Sequence, residues 1–314
     1  MPPADHIYKL YYVYSRYLCL FWELIRMSYY QILGLEKEPF STSPDPAFFY
    51  QSRAHRTALA NLMIELQLKR GLSVILGDVG TGKTTLGRKL IQMLRERNSY
   101  LFHLILDPTY PSEEIFLVAL TRTFGIEFYS SQPTILDLRE SLERFLFRKG
   151  IQEGQTVVLI IDEAQKLNPL SLEILRILLN YETNEFKLMQ LVLLAQMELM
   201  PHLNGMQNLL DRISLKYVLN PLNEEETKEM INFRLREAGY KARMDLFLGE
   251  AVKEIYCYTH GYPRQVAMIC HKALKLLIMK RREVVDRELI HEIIHQEVKP
   301  GWNRVTSLRE SQLT

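Results

Sequence analysis

The chain has 314 residues, with 39 Lys+Arg against 37 Asp+Glu for a net charge of +2, and is 47% hydrophobic and 24% charged. That balance excludes a disordered chain and leaves room for one large α/β domain with a smaller companion. A near-neutral total neither demands nor excludes nucleic acid, because a basic patch can hide within it.

The first 26 residues read as an extension. The stretch from Ile7 to Ile25 is rich in aromatics but is broken by Lys9, Arg16 and Glu23. A crossing helix needs about 20 mostly apolar residues, and a central charge is costly, so Arg16 argues against an integral membrane span. No small-residue cleavage site follows it, which argues against a signal peptide. Two readings stay open: an interfacial or partner-binding helix, or sequence upstream of a functional start at Met27. The second is preferred, since organised sequence begins at Tyr29. The three cysteines, Cys19, Cys257 and Cys270, lie far apart and read as small buried hydrophobes in a reducing compartment.

A Pro-rich connector from Glu38 to Pro46 must be turns and extended chain. Ser52 then caps a predicted helix to about Lys69, with Leu59, Leu62, Met63 and Leu66 at helical spacing. A short apolar strand follows at Leu72–Leu76, then a Gly-rich turn and a helix over 83–97. A second strand is predicted over 100–106, a helix capped by Ser112, and another helix over 135–148. Val157–Ile161 has the continuous apolar character of a strand buried on both faces. A helix over 170–181, a strand over 190–195 and a shorter strand near 215–218 complete the alternation, which predicts a parallel, doubly wound sheet. Beyond it, 224–238, 246–259, 263–281 and 286–296 all read as helices. The expected organisation is therefore 1–26 extension, 27–221 α/β domain, 222–298 helical domain and 299–314 tail.

The strongest motif is Gly77-Asp78-Val79-Gly80-Thr81-Gly82-Lys83-Thr84, with Thr85 following, which fits G-x-x-x-x-G-K-[ST] in full. Glycines at such a turn let backbone N–H groups approach phosphate oxygens, and the next helix points its positive end at the anion. Lys83 would neutralise the β- and γ-phosphates of ATP, and the Thr84 hydroxyl would bind Mg²⁺. The second motif is Asp162-Glu163 at the carboxyl end of a buried strand, where open α/β sheets bind ligands. Asp162 would hold Mg²⁺ and Glu163 would polarise the attacking water, which points to hydrolysis rather than binding alone. Gln196, after the strand 190–195, could orient that water. Arg212 could reach a neighbouring subunit's γ-phosphate, and Arg264 could contact the same phosphate from the helical domain. Taken singly, each of these three side chains has an ordinary surface reading as well.

In their order along the chain these residues resemble the ExeA/GspA-like branch of AAA+ ATPases, a relative of the origin-recognition and TniB-type transposition ATPases. The resemblance spans Tyr29 to about Ile294. It rests on Gly34-Leu35, Pro39-Phe40, Pro44-Asp45-Pro46, Gly77–Thr85, Asp162-Glu163-Ala164-Gln165, Gln196, Arg212-Ile213 and Gly261-Tyr262-Pro263-Arg264. It implies a P-loop AAA+ core with a C-terminal helical lid, Walker A at Lys83 and Thr84, and Walker B at Asp162 and Glu163. The sensor positions fall on Gln196 and Arg264, and a finger on Arg212. Two departures stand out. Asp107 stands where such proteins often carry an Asn that restrains the catalytic Glu, and its carboxylate is expected to repel Glu163. Secretion members also continue into a transmembrane helix and a peptidoglycan-binding domain, so this chain looks more like the short cytoplasmic members near pilus, secretion or exopolysaccharide-export genes.

The expectation is an oligomeric ATPase, in the bacterial cytoplasm or peripheral to the inner membrane. Its ATP cycle, coupled to closure of the helical domain with Arg264 sensing the γ-phosphate, would assemble or remodel an envelope or export complex. The alternatives are a DNA-associated ATP switch, for which Lys272, Lys275, Lys280, Arg281 and Arg282 would be the contact face, and a nucleotide-dependent scaffold with negligible turnover. The more ordinary reading of that basic face is a solvated helix side, and that of His260 and His271 is structural.

Overall fold

A computed structural model describes residues 28–97, 99–127, 133–242 and 244–297. The extension 1–26, the tail 299–314 and Cys19 lie outside the described residues. The described chain forms two compact units, one of residues 43–222 with 262–264, the other of 28–42, 223–261 and 265–297.

In chain order the helices are α1 (Tyr29–Ile32), α2 (Arg53–Gln67), α3 (Lys83–Leu94), α4 (Glu113–Thr123), α5 (Ile135–Phe147), α6 (Pro169–Leu178), α7 (Leu199–Asn204), α8 (Gln207–Leu210), α9 (Glu224–Glu237), α10 (Gly249–Thr259), α11 (Pro263–Met279) and α12 (Arg287–Glu297). The strands are β1 (Leu72–Gly77), β2 (Tyr100–Ile105), β3 (Thr156–Ile161), β4 (Met189–Ala195) and β5 (Ile213–Leu219). All five pair in parallel, in the order β2-β3-β4-β1-β5.

Period-two alternation sorts each central strand between two apolar layers. Val157, Leu159, Ile161, Leu191 and Leu193 join Phe116, Leu120, Leu142, Leu146, Leu172 and Leu175 from α4, α5 and α6. The intervening Val158, Ile160, Val192 and Leu194 join Leu59, Leu62, Leu66, Leu86, Leu90 and Leu94 from α2 and α3. Burial on both faces fits the continuous apolar run Val157–Ile161 of β3; β1 and β4 are as fully buried and carry one polar residue each, Ser73 and Gln190. The edge strand β5 instead alternates in exposure, and it runs from Ile213 to Leu219, longer than its apolar residues suggest. Helix α3 lies close on the sheet at Gly87, where an added Cβ would stand 2.8 Å from Leu194 Cδ1.

In the second unit, α9 to α12 surround a core that includes Ile231, Phe247, Ile255, Ala267, Cys270, Leu274 and Ile290. Residues 28–42 are built into this unit. Glu36 and Lys37 both donate their N–H to Ala238 O, and the Phe40 ring meets Phe247 edge-on. The predicted helix over 246–259 begins only at Gly249. Phe247 instead forms a parallel bridge with Val285, whose N–H donates to Leu246 O at 2.8 Å and whose carbonyl accepts from Leu248 N–H at 3.0 Å. The short helices α7 and α8 were not predicted, being below the length at which periodicity is readable. Among the described residues, no helix is long and apolar enough to cross a membrane.

Gly87→Val forces a branched side chain into the α3–β4 contact. It should lower stability by about 1–3 kcal/mol, read as an earlier urea midpoint at unchanged slope.

Candidate nucleotide site

Parallel strands deliver their carboxyl ends to one edge of the sheet, so the strand order decides which residues meet there. β4 lies between β1 and β3: Ala195 pairs with Leu76, and Leu193 with Ile161. The loop after β1, the Asp162-Glu163 pair after β3 and Gln196 after β4 therefore emerge side by side.

The loop after β1 turns through Gly80 at φ +85° and Gly82 at φ +99°, conformations that side chains rarely adopt. Space forbids a side chain as well. An added Cβ would lie 2.9 Å from Arg264 Cβ at Gly80 and 3.1 Å from His55 Nε2 at Gly82. Asp78 and Val79 sit exposed at the tip, while Thr81 is buried and hydrogen-bonds back to Asp78 O at 2.9 Å. Lys83 is buried at the base, where its ammonium donates to Gly77 O at 2.7 Å and Asp78 O at 2.9 Å. Burial pushes its pKa down, against the pull of Glu163, Asp162, Asp78 and Glu198.

Thr84 Oγ1 donates to Asp162 Oδ2 at 2.5 Å. Burial raises the Asp162 pKa, opposed by that bond and by the Glu163 N–H, which donates to Oδ1 at 2.9 Å. The two groups expected to hold Mg²⁺ are thus already in contact. They suit a hard cation that takes few protein oxygens and keeps several waters, beside a glycine cradle and a lysine that suit phosphate.

Glu163 is itself in the left-handed region, φ 51° and ψ 36°. Its Oε2 accepts from Gln165 Nε2 at 2.6 Å and from Gln196 Nε2 at 3.3 Å, and the Gln196 N–H donates to Gln165 Oε1 at 3.0 Å. Asp107 has partners that the sequence did not suggest. Lys166 Nζ lies 3.3 Å from its Oδ1 and Thr109 Oγ1 donates to the same atom at 2.7 Å, which holds its pKa below the usual value. The side-chain donors on Glu163 are the two amides of Gln165 and Gln196.

Arg264 packs against the loop through its backbone, its N–H donating to Gly80 O at 3.3 Å. Tyr262 adds a hydroxyl bond to Asp78 Oδ2 at 2.7 Å. Arg212 is elsewhere. It precedes Ile213, which pairs with Leu72 at the start of β1, whereas Leu219 pairs with Gly77 at the loop. Six residues of strand at about 3.3 Å each put roughly 20 Å between Arg212 and its own loop. Its guanidinium binds Asn180 Oδ1 at 2.7 Å and also Asn208 O.

The sequence reading missed His55 and gave no role to Gln165 and Tyr262, which it quoted only as parts of motifs. His55 Nε2 bonds Thr81 O at 2.9 Å and its Nδ1 bonds Ser52 Oγ at 2.8 Å, all three residues buried. A carbonyl can only accept, so Nε2 carries the proton and Nδ1 accepts from the serine. A signal existed: His55 stands on the same helical stripe as Ala58, Leu59, Leu62 and Leu66, and a polar residue on a buried face asks for a partner.

An AAA domain family model matches residues 67–203. The chain is 33% identical over 284 residues to general secretion pathway protein A of Aeromonas hydrophila, an alignment covering 90% of this chain and 49% of that one. The chain thus spans about half the length of that curated relative. Among solved structures it is similar to Cdc6p of Pyrobaculum aerophilum, with TM-score 0.61, 18% identity, and coverage of 80% of this chain and 70% of that one. It is likewise similar to the Aeropyrum pernix ORC1 protein, solved in complex with DNA, with TM-score 0.60, 17% identity, and coverage of 83% and 69%. The Thermotoga maritima RuvB branch migration motor follows at TM-score 0.54 and 15% identity, covering 80% of this chain and 73% of that one. At these identities the structural likenesses establish the fold.

His55→Ala leaves Ser52 Oγ and Thr81 O buried without their shared partner. It should cost about 1–3 kcal/mol for each group stranded, measured by chemical denaturation.

Proposed function

The chain carries an AAA domain on a P-loop fold and is similar along 90% of its length to general secretion pathway protein A, and from that premise we propose that it binds ATP with Mg²⁺ and hydrolyses it. The observation that carries the reading is the Thr84–Asp162 hydrogen bond with Glu163 beside it, which joins a phosphate loop to an acidic strand end.

In this reading the backbone N–H groups of Gly80 to Thr84 and the ammonium of Lys83 receive the phosphates. Thr84 and Asp162 would hold Mg²⁺, which would supply positive charge against the phosphates. Glu163 accepts a proton from a water as its oxygen attacks the γ-phosphorus, giving ADP and phosphate. Gln196 orients that water, and Arg264 meets the γ-phosphate from beside the loop. Arg212, roughly 20 Å from its own loop by strand length, acts on a neighbouring copy, which makes the working unit a homo-oligomer.

The nucleotide cycle would serve assembly or remodelling of an envelope complex for secretion, pilus or exopolysaccharide export. Support comes from the similarity to general secretion pathway protein A. The site of action would be the bacterial cytoplasm or the inner face of the membrane. A DNA-associated switch is the second reading, favoured by the fold shared with Cdc6p and ORC1. Four of the five basic residues of α11 and the turn after it are engaged elsewhere: Lys272 pairs with Glu297, Lys280 with Glu292, Arg282 with Asp286 and Glu288, and Lys275 lies 5.8 Å over the Tyr29 ring.

Lys83→Ala should abolish ATP binding. Glu163→Gln should bind ATP as the wild type does and lose turnover by at least about 10²-fold, in single-turnover and steady-state assays. Specific activity should rise with protein concentration and collapse in Arg212→Ala. A flat rate indifferent to that change would remove the composite site, and an ATP-dependent DNA mobility shift lost at high salt would favour the second reading.

A further inference from the structure

Between Glu163 and Gln196 stands Gln165, a side chain with no part in the reaction as written. Its Nε2 donates to Glu163 Oε2 at 2.6 Å and its Oε1 accepts the backbone N–H of Gln196 at 3.0 Å. The two ends cannot be exchanged. A backbone N–H only donates and a carboxylate only accepts, so one orientation of the amide satisfies both.

Glu163 needs such a hold. Its backbone is left-handed at φ 51° and leads directly into the single tight turn Ala164–Lys166. Backbone strain of this kind persists where surrounding contacts over-determine it. The other side-chain donor found on its carboxylate, Gln196 Nε2, is longer at 3.3 Å. Asp107 is committed to Lys166 and Thr109. Lys83 attracts the Glu163 charge and Asp162 repels it. A neutral amide adds direction without adding charge: it fixes where the carboxylate points and leaves it free to accept a proton.

We propose that Gln165 is a positioning residue that locks the Glu163 carboxylate to the end of β4 and so sets the rate of water activation. The proposal rests on the hydrolysis reading above and names a determinant within it. A donor on a mobile or absent side chain lets the carboxylate turn away, and displacements of about 1 Å can cost up to 10²-fold in rate.

The test uses the full chain with ATP and Mg²⁺ and compares wild type, Gln165→Ala and Gln165→Glu. Three quantities are read: kcat, KM, and the affinity for a fluorescent ADP analogue, which reports an intact site independently of turnover. Both variants should lose about tenfold or more in kcat, with KM and ADP affinity within about twofold of wild type, the signature of an interaction outside ground-state binding. Gln165→Glu keeps an acceptor for the Gln196 N–H but presents a carboxylate to Glu163, so it should fall at least as far as the alanine variant. Recovery of rate in Gln165→Glu would assign the role to the Gln196 brace and overturn the proposal. So would a wild-type rate in either variant, or a loss of ADP affinity in step with kcat. No turnover by the wild type would overturn the hydrolysis reading and this inference with it; wild-type turnover with unaltered variants would overturn this inference alone.

Discussion

The hydrogen bond from Thr84 to Asp162 is the contact on which the candidate site depends, because it joins two segments 78 residues apart in the chain. Neither segment could place the other locally. The bond exists because β1 and β3 flank β4 in one parallel sheet, so both chains leave the sheet at the same edge. Long-range strand pairing thus does the positioning, and the apolar layers on both sheet faces keep that pairing in register.

Burial makes the site electrostatically tense. Lys83 and Asp162 are both pushed toward their neutral forms by desolvation, and each is drawn back by the other and by nearby polar partners. The lysine meets this by donating to carbonyls of its own loop, and the aspartate by accepting from Thr84 and the Glu163 N–H. Donors and acceptors are therefore fixed by the fold itself, the arrangement that spares reorganisation when charge arrives.

The fold class was legible because two signals with different physical origins agreed. The alternation of strands with helices, with β3 a continuous apolar run, marked a parallel sheet, and the Gly-Lys-Thr turn fixed what its edge must face. What could not be read were features set by tertiary contact. Leu246–Leu248 carry helix-compatible apolar residues, yet the bridge to Val285 keeps them out of the helix. Asp107 looked hostile to Glu163 because sequence gives no view of Lys166 and Thr109, which engage it. His55 was hidden by a sound local reading: Ser52 was recognised as a helix cap, and the same hydroxyl also serves the histidine that steadies the loop. Gln165 stood in plain view within Asp162-Glu163-Ala164-Gln165, but its importance lies in reaching across to the end of β4.

The left-handed backbone at Glu163 has an evolutionary edge. A glycine there would relieve a conformational penalty of roughly 1–2 kcal/mol while deleting the carboxylate proposed to activate water. Thermodynamic preference and chemistry pull in opposite directions at this single position. On the proposed reading, that single change would keep the phosphate loop and the fold while leaving a binder that no longer turns its ligand over.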